Sequence, residues 1–278
     1  MRRALVDARL TSYSDKAHMG LARYLQVVVE RSSQSAQVVV VANSTHMEPL
    51  VPCFELLRER LGPNLHSLWF NSQMDRSNNI LGTAFQRWHG PESVVERFGG
   101  AAIHYPPGAF GQSNLEIAET IIDHVRSLVP EGARVAEFYA GVGAIGLSML
   151  ARIDEIHFNE VGAASLRGLE LGLASLDLGA RAKVHVTPGT AGAACAAAAH
   201  AQVVIADPPR KGLDPELTMF LTANPPERLI YVSCGFESLQ RDTAVLTSSG
   251  KLRLCKLTAF NLMPFTEHIE TVACFERR

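Results

Sequence analysis

Val135-Ala136-Glu137-Phe138-Tyr139-Ala140-Gly141-Val142-Gly143-Ala144-Ile145-Gly146 is the stretch on which the reading of the fold turns, because a short apolar run gives way at once to glycines spaced G-x-G-x-x-G. Glycine tolerates the backbone of a tight turn and lets a ligand approach the main chain closely, so the stretch predicts a strand, a turn and a helix with a nucleotide-like ligand against the turn. The spacing alone fits nicotinamide dinucleotide enzymes and S-adenosylmethionine enzymes equally. It also fits glycines that only permit close packing of strand and helix.

On either side of this turn, short apolar runs alternate with helical segments. Glu155 to Phe158, Lys183 to Val186, Val203 to Ala206 and Leu229 to Val232 read as further strands, and the alternation predicts a parallel sheet with crossover helices. Ser113-Asn114-Leu115-Glu116 has the form of a capping box, and Leu115, Ala118, Ile121, Ile122, Val125 and Leu128 recur at helical spacing behind it. The alanine-rich stretch Ala191 to Ala201 reads as a plain helix. The texture changes at Pro106-Pro107-Gly108. Upstream, Tyr24 to Glu30 and Ala36 to Ala42 read as a hairpin, Glu48 to Leu61 as a helix and His66 to Phe70 as a strand. Two domains are expected: a small α+β unit over 1–107 and a larger α/β unit over 108–278.

With 278 residues, 47% of them apolar, the chain can bury proper cores, and disorder is not expected. No run approaches the roughly 20 apolar residues that cross a bilayer, and Met1-Arg2-Arg3 lacks the apolar centre of a secretion signal, so a cytoplasmic enzyme is expected. Cys53, Cys195, Cys234, Cys255 and Cys274 are scattered and odd in number, which argues against zinc, iron–sulfur and disulfide frameworks. A net charge of −2 provides no general basic field for nucleic acid, although Arg210-Lys211 and Arg241 offer a local patch.

Several polar residues fall where strands should end, the edge at which open α/β sheets bind ligands. Glu160 ends the second strand of the larger unit, where a carboxylate can accept from the hydroxyls of an adenosine ribose. Asp207-Pro208-Pro209 follows Val203 to Ala206, and the prolines turn the chain away while Asp207 stays at the rim as an acceptor for a base. Cys234 ends the run Leu229 to Ser233 just before Gly235, which points its thiol at a cleft; the other four cysteines are expected to be small buried hydrophobes. His268 and Glu270, two residues apart, would project from one face of an extended segment as a candidate base.

From Gly108 onward the chain resembles the RNA uracil-5-methyltransferases, which use S-adenosylmethionine to modify uridine in tRNA and 23S rRNA. The resemblance rests on five stations in order: Phe110-Gly111-Gln112-Ser113-Asn114, the glycine turn, Asp207-Pro208-Pro209-Arg210-Lys211-Gly212, Ser233-Cys234-Gly235, and Thr266-Glu267-His268-Ile269-Glu270. It implies a Rossmann-like class I methyltransferase with a mixed sheet, preceded by a small N-terminal α+β domain that helps to embrace RNA. It further implies that Gln112, Tyr139, Gly141, Gly143, Glu160 and Asp207 line the S-adenosylmethionine pocket, that Asp207 also approaches the target base, that Cys234 is the nucleophile and that Glu270 is the base. No metal, iron–sulfur cluster or membrane contact is expected.

Three features depart from the family pattern. Gly235-Phe236 stand where asparagine and proline are usual, Ala144 stands where some relatives place a polar cofactor ligand, and Glu137 replaces the commoner aspartate. The N-terminal β-barrel of many relatives is not found, so the resemblance is to a short member. Methylation of cytosine C5, a noncatalytic RNA-binding role and a nicotinamide oxidoreductase remain the alternatives.

Overall fold

The structure is a computed structural model describing residues 2–266 and 268–278; Met1 and Glu267, the latter part of the fifth sequence station, lie outside the described residues. The chain divides into two units, Met1–Glu96 with His104–Gly108, and Arg97–Ile103 with Ala109–Arg278.

In the first unit, α1 (Arg2–Asp7), β1 (Ala22–Val29), β2 (Ala36–Ala42), α2 (Val51–Leu61), β3 (Leu65–Ser72) and β4 (Ala84–His89) build a four-stranded sheet of order β1-β2-β3-β4. β1 and β2 pair antiparallel as the expected hairpin, whereas β2 and β3 run parallel because α2 crosses between them. β2 is apolar without alternation because both its faces are covered. Val38, Val40 and Ala42 pack with Cys53, Phe54 and Leu57 of α2, and Val39 and Val41 pack with Trp69 on the other side. β5 (Val94–Phe98) and β6 (Ala101–Tyr105) form a separate two-stranded sheet.

The second unit continues with α3 (Leu115–Leu128), β7 (Arg134–Phe138), α4 (Ala144–Met149), β8 (Glu155–Glu160), α5 (Ala163–Ala174), α6 (Leu178–Ala182) and β9 (Val184–Pro188). It ends with α7 (Cys195–His200), β10 (Val203–Ala206), α8 (Pro215–Ala223), β11 (Arg228–Ser233), α9 (Phe236–Thr247), β12 (Leu252–Phe260) and β13 (Glu270–Arg277). Seven of these strands form one sheet in the order β12-β13-β11-β10-β7-β8-β9. β7 to β11 pair in parallel, with β9 at the exposed edge, while β13 runs antiparallel to both β11 and β12. Alternation of strands and helices therefore reads the parallel part correctly and misses β12, which follows α9, and the reversed β13, which follows β12 with no helix between them among the described residues. On one face, Leu217 and Leu221 of α8 and Leu239 and Leu246 of α9 close over Val204, Ala206, Leu229 and Tyr231.

Two local expectations are corrected. The cap of α3 is Asn114, not Ser113: its Oδ1 accepts from the Ile117 N–H at 3.2 Å while its Nδ2 donates to the Leu262 carbonyl at 3.3 Å. The alanine-rich stretch is a 3-10 turn, Gly192–Ala194, followed by only six residues of α7, and Gly192 lies against Glu216 so closely that a Cβ would meet its Oε2 at 2.0 Å.

Gly146, the last glycine of the turn, lies where α4 crosses the sheet; a Cβ there would meet Glu137 Oε2 at 2.3 Å, Ile156 Cδ1 at 2.4 Å and Phe158 Cε1 at 2.5 Å. These neighbours are buried strand residues with nowhere to move. Gly146→Ala is therefore expected to destabilise the protein by about 1–3 kcal/mol, the usual cost of overpacking, measured as a lower midpoint in urea unfolding.

Candidate active site

Strand order decides which residues meet. Along the rim where the parallel strands end, β8 finishes at Glu160, β7 runs into Tyr139 and the glycine turn, β10 runs into Asp207, and β11 runs into Cys234. β13 is antiparallel, so its first residue, Glu270, arrives at this same rim; Thr271 pairs with Ser233, and the Thr271 hydroxyl donates to the Ser233 carbonyl at 3.1 Å. Neighbouring strands lie about 4.8 Å apart, so Asp207, Cys234 and Glu270 stand in sequence within about 10 Å of rim. The sequence-derived candidates Glu160, Tyr139, Gly141, Gly143, Asp207, Cys234 and Glu270 are thus brought to one edge. Gln112 lies half-buried in the coil before α3.

At the β7–β8 end, the glycines divide their work. Gly141 has φ +59° and nothing within 4 Å of a Cβ built on it, so its backbone faces open space that a ligand can enter. Gly143, at φ +81°, precedes α4 and packs beneath Leu169. The Glu160 carboxylate holds the turn: Oε2 accepts from the Gly141 N–H at 2.8 Å, and Oε1 accepts from the N–H groups of Val161 at 2.9 Å and Gly162 at 2.6 Å. A carboxylate has about four acceptor sites, so three backbone donors leave room for one ribose hydroxyl and not for two without adjustment. Tyr139 holds a left-handed backbone at φ 58°, and its hydroxyl accepts from the Asp214 N–H at 2.8 Å. Burial pushes this phenol up to about 12, so it is a neutral anchor for the loop before α8.

At the β10–β11–β13 end, a thiol and two carboxyls share a poorly solvated space. Burial raises Glu270 to about 7; burial, and then the Glu270 charge, raises Asp207 to about 8. The Cys234 thiol is pushed up by burial first and then by Glu270 and Asp207, with Arg210 partly opposing. Fully buried Glu137 is also held well above the carboxylate range, by burial first and then by Asp207, and its Oε2 has no hydrogen-bond partner. Among the described residues neither Asp207 nor Glu270 makes an ion pair, so nothing offsets their desolvation, and a cation brought among them would favour their ionised forms. Cys234 is half-buried, Cys53 and Cys274 are buried, and Cys195 is intermediate. Cys255 is not the expected buried hydrophobe: it is exposed on edge strand β12, with Sγ 3.4 Å from Glu276 Oε2. His268 and Glu270 do not share an environment either; His268 is exposed and Glu270 is only 5% exposed.

Sequence reasoning misses the residue that fixes the Asp207 loop against the Cys234 loop. Asp242 on α9 is 4% exposed; its Oδ2 accepts from the Leu213 N–H and the Tyr231 hydroxyl, each at 2.8 Å, and its Oδ1 accepts from Arg241 Nε at 3.1 Å. Arg241 Nη2 in turn donates to the Lys211 carbonyl at 2.6 Å. The available signal was an acidic residue on the apolar face marked by Leu239 and Leu246. Gly235 also gains a reason: a Cβ there would meet the Arg210 carbonyl oxygen at 2.9 Å, so this loop packs closely against the Asp207 loop.

Comparison with known proteins places this geometry. A sequence model of the family described as tRNA (uracil-5-)-methyltransferase matches residues 197–278, which include Asp207, Cys234 and Glu270. An uncharacterized RNA methyltransferase of Protochlamydia amoebophila is 35% identical over 277 residues, covering 97% of this chain and 72% of its own length. Another, from Leptospira interrogans, is 28% identical over 98% of this chain and 70% of its length. The crystal structure of a Pyrococcus abyssi tRNA (uracil-54, C5)-methyltransferase in complex with S-adenosyl-L-homocysteine shares the fold at a TM-score of 0.79 and 21% identity, across 99% of this chain and 64% of that one. This chain therefore spans less than two thirds of that solved relative.

The two raised carboxyls set a pH dependence of stability. Because their folded values lie above their ordinary ones, their favourable share is fully present below about pH 4 and is lost as pH rises through about 7 for Glu270 and about 8 for Asp207. The melting temperature of the ligand-free protein is expected to fall between pH 5 and pH 8, and Asp207→Asn and Glu270→Gln should each flatten that fall in differential scanning calorimetry. Equal slopes in all three proteins would contradict the assignment.

Proposed function

The chain belongs to the RNA uracil-5-methyltransferase family, and from that premise we propose that it transfers a methyl group from S-adenosylmethionine to C5 of a uridine in tRNA or rRNA through a covalent adduct at Cys234. The observation that carries this reading is the meeting of a half-buried thiol with two carboxyls of raised proton affinity at one sheet edge. Family membership sets the nicotinamide reading of the glycine turn aside.

The cleft has features that suit the cofactor. Gly141 leaves space against its backbone, Glu160 keeps one acceptor site for a ribose hydroxyl, and the unpaired carboxyls favour a cation. Gln112, Gly143 and Tyr139 are assigned to the same pocket, Tyr139 through its ring, since its hydroxyl is engaged with the Asp214 N–H. S-adenosylmethionine supplies a methyl group on a positively charged sulfur, which makes it both the electrophile and the missing positive charge.

Uracil C5 is a weak nucleophile. The Cys234 thiolate adds to C6, and the C5–C6 π pair moves onto C5 and O4 as an enolate, which lets C5 take the methyl group. Glu270, with a proton affinity near the working pH, removes the C5 proton. The C5–H electron pair re-forms the C5–C6 double bond and expels the sulfur. Cys234 begins with its proton affinity raised, so thiolate formation is coupled to arrival of positive charge. Asp207 is placed to read the N3 and O4 edge of the base. As a neutral carboxyl below about pH 8 it has one donor and one acceptor, which suits uracil and, with the roles exchanged, also cytosine. The target base must leave its stack to reach this rim, at a cost of a few kcal/mol.

The test is release of tritium from RNA labelled at C5 of uridine or, separately, of cytidine. Release from uridine, dependent on S-adenosylmethionine, is expected. Cys234→Ala should abolish it, and Glu270→Gln should slow release by at least about 100-fold while a denaturant-resistant protein–RNA band accumulates. Release from cytidine alone would transfer the reading to cytosine. RNA binding without release from either base would make the protein a noncatalytic binder.

A further inference from the structure

Away from the rim, on the amino-terminal part of β8 and the edge strand β9, three metal-ligating side chains converge. His157 of β8 pairs directly with His185 of β9, and Glu155 lies two residues before His157, which puts its side chain on the same face. Both imidazoles point at one atom: His157 Nε2 lies 2.9 Å and His185 Nε2 lies 3.0 Å from Glu155 Oε1. The two rings stack with centroids 4.4 Å apart and 18° between their planes, so their nitrogens face the same way. Glu155 Oε1 and the two Nε2 atoms all lie within 4.8 Å of one another.

We propose that Glu155, His157 and His185 form a binding site for a first-row divalent transition metal of zinc's class. Two imidazoles and a carboxylate are a ligand set that zinc, nickel and copper prefer, whereas magnesium and calcium take oxygen almost exclusively. Ligand atoms about 2.0–2.1 Å from a tetrahedral ion lie about 3.3 Å apart, so each of the two imidazole–carboxylate distances, 2.9 Å and 3.0 Å, needs to open by only a few tenths of an ångström to admit an ion. The site is open enough to permit it: the His185 side chain is 51% exposed and that of Glu155 35%. Water completes the coordination. The cysteine spacing that argues against zinc does not bear on these residues, because no thiol is involved.

The opposing charge is Arg134, paired with Glu155 in the β7–β8 register. Its Nε is turned away to the His200 carbonyl at 3.0 Å, so its effect on an incoming cation is weakened and not removed. Glu160, at the other end of β8, serves the glycine turn. A metal at Glu155 therefore acts on the sheet edge, tying β9 to β8, and is separate from methyl transfer. Because the ion binds the folded state, it should raise the melting temperature.

The experiment is calorimetric titration of the full chain with zinc chloride in chelator-free buffer, using wild type, His157→Gln, His185→Gln and Cys255→Ser, the last because its exposed thiol is the competing ligand. One zinc equivalent is expected in wild type and Cys255→Ser, with affinity reduced at least tenfold, about 1.4 kcal/mol, in each histidine variant. No binding to wild type, unchanged affinity in either histidine variant, loss in Cys255→Ser, or displacement by equimolar magnesium would overturn the proposal. Should a histidine variant fail to fold, broadening of the wild-type His157 and His185 imidazole resonances by cobalt(II) decides the question; sharp resonances would overturn it.

Discussion

The reversed pairing of β13 with β11 is the constraint on which the site depends. Parallel strands deliver only their last residues to the rim, and β10 and β11 deliver Asp207 and Cys234 in that way. An antiparallel neighbour delivers its first residue, and the register Ser233↔Thr271 fixes that residue as Glu270. Slipping the pairing by one position would turn the Glu270 side chain to the opposite face of the sheet and separate its carboxyl from the thiol. The long β12–β13 ladder and the Thr271 hydroxyl hold the register against such a slip.

This placement costs stability in the ligand-free state. Glu137, Asp207 and Glu270 are desolvated, mutually repulsive and held towards neutrality, and Cys234 is kept as a thiol by the same surroundings. A cation introduced among them lowers all of these proton affinities together. In the mechanism we propose, electrostatics thus links cofactor arrival to formation of the Cys234 thiolate and keeps that thiol protonated when no methyl donor is present. Asp242 supplies the rigidity this requires by clamping the loop after Asp207 to the helix after Cys234.

The parallel part of the fold was legible because β7, β10 and β11 are buried on both faces and, Glu137 of β7 apart, read as apolar runs. The turn at Gly141 and the strand-end positions of Asp207 and Cys234 were legible for the same reason, since each follows closely on such a run, and Glu160 was legible as the end of the alternating strand β8. β12 was not: most of its residues are exposed, so it lacks the periodicity that marks a half-buried strand. The cap at Asn114 was misread by one residue because Ser113 and Asn114 are both good caps, and only the tertiary contact to Leu262 chooses between them. Asp242 is marked only by its place on the apolar face of α9, and its partners Leu213 and Tyr231, like the β8–β9 pairing behind the Glu155–His157–His185 cluster, lie in distant segments that spacing along the chain does not join.

Covalent attack by Cys234 is the claim from which the rest of the chemistry follows, and RNA carrying 5-fluorouridine examines it most directly. Fluorine on C5 cannot be removed as a proton, so after methyl transfer the adduct has no route to elimination. The account predicts a stable protein–RNA complex that forms only with S-adenosylmethionine and whose digest carries a methylated fluorouridine on the Cys234 peptide. A nucleotide attached to another residue, or methylated RNA recovered without any covalent complex, would contradict it.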